Sequence, residues 1–222
     1  MRVAVLGGTG GLGFGLAARL ALAGVEVVVG SRARERAENA ASEISRLVSG
    51  KAAIRGLENS EAVRGCDIAM LTVPFEGIDT IIESILPNLN SNTIVVSCIV
   101  PLKADLRGYG SAAELVRDKI PGQTPVVAGF HTVSAEKLTK LSEPVGCDTI
   151  ILGDDREAKK RVAELAYKID GLRPVDGGAL KNTRIVEQIT QLLIGINRRY
   201  RIHDAAIKIV GVDDARVFEA WR

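Results

Sequence analysis

The chain is short of aromatic residues, of cysteine and of any surplus of one charge. Aromatics make up 4% of its 222 residues, so stacking a planar ligand on aromatic platforms cannot be general and aliphatic walls must do that work. The 3 cysteines, Cys66, Cys98 and Cys147, are widely spaced. Their odd number and spacing suggest neither a disulfide framework nor a zinc site, and inert buried thiols in a reducing cytoplasm are expected. Lysine and arginine total 29 against 27 acidic residues, a formal net charge of +2. So small an excess argues against nucleic acid as a partner. No apolar run approaches the ~20 residues that span a bilayer. Arg2 leads into only a short apolar stretch before glycines begin, which is not the pattern of a signal peptide. No internal repeat, low-complexity linker or charge block interrupts the chain.

What is present is a regular alternation. Arg2 to Leu6 is a short β-branched run ending in glycine, Leu12 to Ala23 has helical spacing stopped by Gly24, and Val25 to Val29 is a second strand. Strand, glycine turn, helix and strand fall within about thirty residues, the size of a βαβ unit. The pattern continues with a helix from Arg34 to Val48, strands at Ala53 to Gly56 and Asp67 to Val73, and a helix from Ile78 to Leu86. Strands at Thr93 to Ser97 and Thr124 to Gly129 flank a loop from Val100 to Gly110 and a helix from Ser111 to Lys119. A strand at Cys147 to Leu152, a helix from Arg156 to Ile169 and an extended Gly171 to Asp176 follow. Such alternation predicts an α/β, doubly wound, Rossmann-type and mostly parallel sheet. Residues 1–179 would form the dinucleotide-binding domain. Residues 180–222 would form a C-terminal helical segment packed on the same body, with a long amphipathic helix from Leu180 to about Tyr200. Ile185, Ile189, Leu192, Leu193 and Ile196 lie along one face of that helix, which suits a partner subunit or its own sheet.

Gly8, Gly10 and Gly13 match G-x-G-x-x-G directly after a strand and at the opening of a helix, the context that separates a dinucleotide site from chance glycines. Gly8 would permit the tight turn, Gly10 the approach of a pyrophosphate to the backbone, and Gly13 close helix–strand packing. At the tip of the second strand the chain reads Gly30-Ser31-Arg32-Ala33-Arg34-Glu35-Arg36. A carboxylate there would bind the ribose 2′-hydroxyl of NAD; instead Ser31, Arg32 and Arg36 offer a hydroxyl and guanidinium forks to a 2′-phosphate, favouring NADP(H). Arg34 has Glu35 and Glu38 as surface partners and is expected to be part of a solvated helix start.

The segments GGTGGLGFGLA, VVVGSR, CDIAMLTVP, VVSCIVP, FHTVSA, GDD and IDGLRPVDGGAL, in this order, resemble the NADPH-dependent coenzyme F420 reductases, from Met1 to roughly Ile196. The resemblance implies reversible hydride transfer between NADP(H) and the 5-deazaflavin coenzyme F420. It implies that Thr9, Gly10, Gly11 and Leu12 hold the pyrophosphate and that Ser31, Arg32 and Arg36 hold the 2′-phosphate. It further implies that Val73, Val100 and Ala135 line the ribose and nicotinamide through their backbone, with Ala205 beside the acceptor. His131, after the Thr124 to Gly129 strand, is either a donor to a ring carbonyl or a structural imidazole bonded to a loop carbonyl. The segment Asn197 to Arg222 departs from the family's short glycine-containing tail. There Arg198, Arg199 and Arg201 either attract the anionic F420 tail or form a solvated helix end.

No catalytic acid–base pair is evident, as expected where the cofactors carry the chemistry. Two other readings stand beside F420 reduction: an NADPH reductase of a flavin, metal chelate or small imine, and an NADP(H)-sensing protein without turnover. A cytoplasmic homodimer, joined through the C-terminal helix and completing the acceptor site, is expected in the first case.

Overall fold

The computed structural model describes residues 1–102 and 104–221. The chain enters the sheet through β1 (Arg2–Leu6), turns at a run of glycines and continues into α1 (Gly11–Leu22). Val3 to Leu6 are fully buried. A parallel strand covered on both faces has no reason to alternate, which is why it reads as unbroken apolar sequence. β2 (Glu26–Ser31), α2 (Arg34–Leu47) and β3 (Ile54–Glu58) complete the first half. The second half comprises α3 (Asn59–Ala62), β4 (Ile68–Leu71), α4 (Ile78–Ile85), β5 (Ile94–Ser97), α5 (Ala112–Lys119) and β6 (Val126–Ala128). Then come α6 (Ala135–Thr139), β7 (Cys147–Gly153), α7 (Arg156–Tyr167), β8 (Leu172–Asp176), α8 (Thr183–Tyr200) and α9 (Asp214–Ala220).

All eight strands form one sheet in the order β3-β2-β1-β4-β5-β6-β7-β8. Every neighbouring pair is parallel except β6 and β7, so the doubly wound, mostly parallel expectation holds. Side chains alternate between two cores. Val3, Val5 and Met70 join Leu16, Ile44 and Val162 on one face, while Ala4, Leu6 and Leu71 join Ile82 and Val116 on the other. The strand order reverses between β1 and β4, which opens a crevice at their carboxyl ends.

Three short helices, α3, α6 and α9, lie outside the expected elements, and the end of the chain is less helical than expected. After α8 the backbone returns along β7, where the Asp148 N–H donates to the Ile207 carbonyl at 2.8 Å. Arg19, on α1, staples α6 in place. Its guanidinium donates to the carbonyls of Leu138, Lys137, Lys140 and Glu143 at 2.9, 2.8, 2.5 and 2.8 Å, carbonyls at and beyond the end of that short helix, where intrahelical partners run out.

Along α8 only Thr183, Val186 and Glu187 are buried. The Glu187 carboxylate accepts from the Ala112 and Ala113 N–H groups at 3.1 and 3.3 Å, tying α8 to the start of α5. Burial pushes this carboxyl up from 4.5 to about 7, with Glu114 acting in the same direction and the two amides opposing. The folded chain therefore holds the proton more tightly than the unfolded one. The stability contribution is full below pH 4.5 and is lost as pH rises through about 7. Glu187→Gln keeps an acceptor and removes the charge. In urea titrations the variant should lack a decline on the order of 2 kcal/mol that the parent shows across this interval. Parallel pH profiles for parent and variant would overturn the assignment.

Candidate functional site

The glycine turn is built by division of labour. Gly7 carries the positive φ, +81°, and the Gly8 N–H closes the turn on the Val5 carbonyl at 3.2 Å. The left-handed residue of the turn is thus Gly7, and Gly8 serves the same turn by another means. Gly8 instead permits close packing, since a Cβ there would lie 2.7 Å from the Val5 oxygen and 3.0 Å from Val29 Cγ1. A Cβ at Gly13 would lie 2.5 Å from Thr72 Oγ1 and 2.8 Å from both the Gly7 oxygen and Gly8 Cα. That is the close helix–strand approach expected of it. At Gly10 the same atom would meet only the Gly7 oxygen, at 3.5 Å. The helices α5, α6, α7 and α9 have side-chain caps from Ser111, Ser134, Asp155 and Asp213. Gly10 supplies none to α1, so the first amides of α1 face the crevice with no side chain competing for them.

Two connected compartments extend from this turn. The first, of about 450 Å³, is lined by Thr9, Gly10, Ser31, Arg32, Arg36 and Val73 among others. Ser31 is buried and its hydroxyl accepts only a long 3.5 Å contact from the Ala33 N–H. Arg32 and Arg36 are exposed, and neither guanidinium has a hydrogen bond or ion pair among the described residues. Arg34, by contrast, pairs with Glu38 at 3.9 Å and with Glu61. It is the solvated helix start that its acidic neighbours suggested. Asn59 was missed from the sequence. Its Oδ1 accepts from the Gly7 N–H at 3.4 Å, linking the glycine turn to the end of β3.

The second compartment, of about 690 Å³, shares Gly10, Thr72, Val73 and Pro74 with the first. Gly11, Leu12, Cys98, Val100, His131, Ala135 and Ala205 also line it. The structure thus gathers every expected site residue except Gly8 and Gly13 around one cleft, and those two act from behind it. From α8 come Thr190, Leu193, Ile194 and Asn197, whose spacing repeats a single helix face. That face overlaps the expected stripe from Ile185 to Ile196 at Leu193 and is turned from it about the helix axis. In the stripe, Ile185 and Leu192 are in fact exposed, at 53% and 63%.

His131 is 4% exposed, and neither ring nitrogen has a hydrogen-bond partner among the described residues. The structural reading of this imidazole requires a loop carbonyl that it does not find. Burial pushes it down to about 4, and the Ile99 backbone lies near enough to oppose this weakly without a well-formed bond to either nitrogen. The ring is therefore neutral at ordinary pH. Its aim is set by Phe130, whose φ of 66° is left-handed and whose N–H donates to Thr149 Oγ1 at 2.8 Å. Thr190 Oγ1 donates to the His131 carbonyl at 3.0 Å. Burial pushes the Cys98 thiol far up, so it stays protonated and unreactive.

A doubly wound sheet whose switch-point crevice carries such a glycine turn belongs to the dinucleotide-binding oxidoreductases. Comparison with known proteins narrows the class. Residues 2–101 match the family model described as NADP oxidoreductase, coenzyme F420-dependent. The F420-dependent NADP reductase of Methanothermobacter thermautotrophicus is 38% identical over 96% of this chain and 97% of its own length. That of Methanocaldococcus jannaschii is 39% identical over 96% and 100%. A solved structure from Arthrobacter sp. FB24, proposed to be an F420-dependent NADP reductase, superposes with a TM-score of 0.78 at 20% identity over 95% of this chain and 99% of its own. This chain belongs to the F420-dependent NADP reductase family.

Proposed function

We propose that this protein transfers a hydride reversibly between NADP(H) and coenzyme F420, with the two carriers seated in the two compartments. The observation that carries this reading is the common border of the two compartments. The compartments share Gly10 and Thr72 to Pro74, so rings entering from opposite ends meet over one floor. The donor set fits each half. The amides of Thr9, Gly10, Gly11 and Leu12 suit a pyrophosphate, and Ser31 with the unpaired Arg32 and Arg36 suits a 2′-phosphate. Val73, Val100 and Ala135 supply backbone and aliphatic walls to the ribose and nicotinamide. Neutral His131 offers one ring N–H to a carbonyl of the acceptor, and Ala205 closes the far wall.

When bound, the carriers themselves supply the hydride chemistry. What the chain contributes is alignment and dryness: the aliphatic floor excludes water and fixes the approach of the two rings. Names of relatives at 38–39% identity favour F420 over a flavin, metal chelate or imine. Residues 1–179 act as the NADP-binding domain and 180–222 as the acceptor wall. The test is an assay with NADPH and F420, following loss of the deazaflavin absorbance. Turnover with a flavin or imine but none with F420 would overturn the acceptor. Tight NADPH binding without turnover of any acceptor would make the protein a sensor.

The same reading includes a homodimer and a cytoplasmic location. No helix among the described residues is long and apolar enough to cross a membrane, yet Ile185, Leu192 and Leu102 are exposed at 53%, 63% and 52%. Ile185 and Leu192 stand two turns apart on one face of α8, a stripe that a partner subunit would cover. Sedimentation of the parent should give a dimer, and Ile185→Glu with Leu192→Glu a monomer. A parent that sediments as a monomer would refute the contact.

A further inference from the structure

Asp148, on β7, lies outside both compartments and is 1% exposed. Its polar groups are nevertheless all engaged, by the loop that carries His131, by the returning tail and by β8. Its carbonyl accepts from Thr132 Oγ1 at 2.9 Å, on the loop that carries His131. Its N–H donates to the Ile207 carbonyl at 2.8 Å, and Oδ2 accepts from the Ile209 N–H at 2.6 Å. The remaining capacity meets a guanidinium fork from Arg173 on β8, whose Nε and Nη2 donate at 2.9 and 2.8 Å. Arg173 then reaches past it to the carbonyls of Ile209 and Val212 at 2.8 and 2.6 Å and to Asp214 at 3.2 Å.

We infer that Asp148 and Arg173 are positioning residues for the acceptor. Their side chains grip the returning segment through the Ile209 N–H and the Ile209 and Val212 carbonyls, against a strand whose main chain at Asp148 already holds Ile207 and Thr132, and so set the width of the second compartment. This rests on the acceptor reading of that compartment. The segment has little else to place it. No residue from 201 to 210 is fully buried and Ala206 alone among them packs on the core, so apolar packing by itself does not fix its path. Its residues His203 and Ala205 line the compartment, a short step upstream of the amides and carbonyls that the pair holds. Asn197 Oδ1, from α8, accepts the Ala205 N–H at 3.0 Å, and Ser134 donates to the His203 carbonyl at 3.1 Å. These secure the near end of the segment, and the pair secures the far end.

β7 and β8 are already joined by a parallel ladder in which Asp148 and Arg173 are opposed. The sheet does not require a charge at either position. A buried ion pair is poor evidence for stability, and fixing register is its best-attested use. Here most of the guanidinium's hydrogen bonds beyond Asp148 go to main-chain groups of the tail, which is what a register device requires.

The test compares Arg173→Lys and Asp148→Asn with the parent enzyme on three measurements: KM for F420, Kd for NADPH, and hydrogen exchange of the backbone amides. Small displacements of a substrate wall cost about 10- to 100-fold, so KM for F420 should rise about tenfold or more while Kd for NADPH stays put. The amides of 205–209 should exchange faster, with those of 131–133, tied to the Asp148 main chain, and of the glycine turn unchanged. Arg173→Lys keeps the charge and should fall between the parent and Asp148→Asn. KM for F420 that stays at the parent value despite faster exchange at 205–209 would overturn the inference. So would KM and Kd rising in proportion alongside general loss of protection, which marks a merely structural pair. A parent that does not turn over F420 would instead sink the functional reading, and the exchange measurement stands independently of it.

Discussion

Replacing Arg32 by aspartate should weaken NADPH binding by about 100-fold and leave NADH within about twofold. The guanidinium is free of any partner among the described residues and stands at the tip of β2 beside Ser31 and Arg36 on the wall of the first compartment. Binding a 2′-phosphate there breaks no existing ion pair, so charge-assisted hydrogen bonds worth ~1.5–3 kcal/mol each are gained without offset. Aspartate removes the fork and adds like-charge repulsion. Toward NADH it does neither harm, because a carboxylate at this position accepts from the ribose hydroxyl. The control is Arg34→Ala. Arg34 is two residues away but is committed to Glu38 and Glu61, and its loss should shift NADPH affinity by no more than ~twofold. Equal losses for NADPH and NADH at Arg32, measured by titration of ligand fluorescence, would refute the 2′-phosphate role.

That contrast between Arg32 and Arg34 also shows where sequence stops being informative. The glycine turn, the parallel strands and the order of elements were legible because each is written locally, in β-branched runs, helical spacing and punctuation by glycine. The acidic neighbours of Arg34 likewise sit within a few residues of it. Asp148, Glu187 and Arg19 were not legible as anything beyond polar residues in regular elements. Their partners lie 25 to 124 residues away, and no periodicity encodes a bond across that distance. The antiparallel direction of β7 is a property of the path between strands and leaves no mark within the strand. The helices α6 and α9, of 5 and 7 residues, are too short to display a period. The aim of His131 depends on a left-handed Phe130, a conformation that bulky residues rarely adopt and that composition therefore does not announce. The pocket face of α8 was present in the spacing of Thr190, Leu193, Ile194 and Asn197. It was obscured because the adjoining stripe, which shares Leu193 with it, is more uniformly apolar.

The second large effect separates two glycines of the same motif by adding the same methyl group to each. Gly13→Ala places a Cβ 2.5 Å from Thr72 Oγ1 and 2.8 Å from two backbone atoms, the Gly7 oxygen and Gly8 Cα. Thr72 cannot simply swing aside, because its hydroxyl already donates to the Leu6 carbonyl at 2.9 Å. The helix must lift from the strand tips, an overpacking cost of ~1–3 kcal/mol that exceeds the helix-propensity gain of ~1 kcal/mol at best. The melting temperature should fall by about 5 °C, and NADPH affinity should fall with it because the α1 amides move. Gly10→Ala meets nothing nearer than 3.5 Å, and its φ of −84° and ψ of 162° suit any residue. Its melting temperature should match the parent within error. Its methyl nevertheless projects into the cleft where the pyrophosphate must approach the backbone, so NADPH affinity should drop by about 100-fold through lost charge-assisted hydrogen bonds. Calorimetry and ligand titration on the two variants decide the matter. If both lose stability alike, the motif is only a tight turn; if Gly10→Ala alone keeps its stability while losing NADPH, that residue is where the dinucleotide meets the backbone.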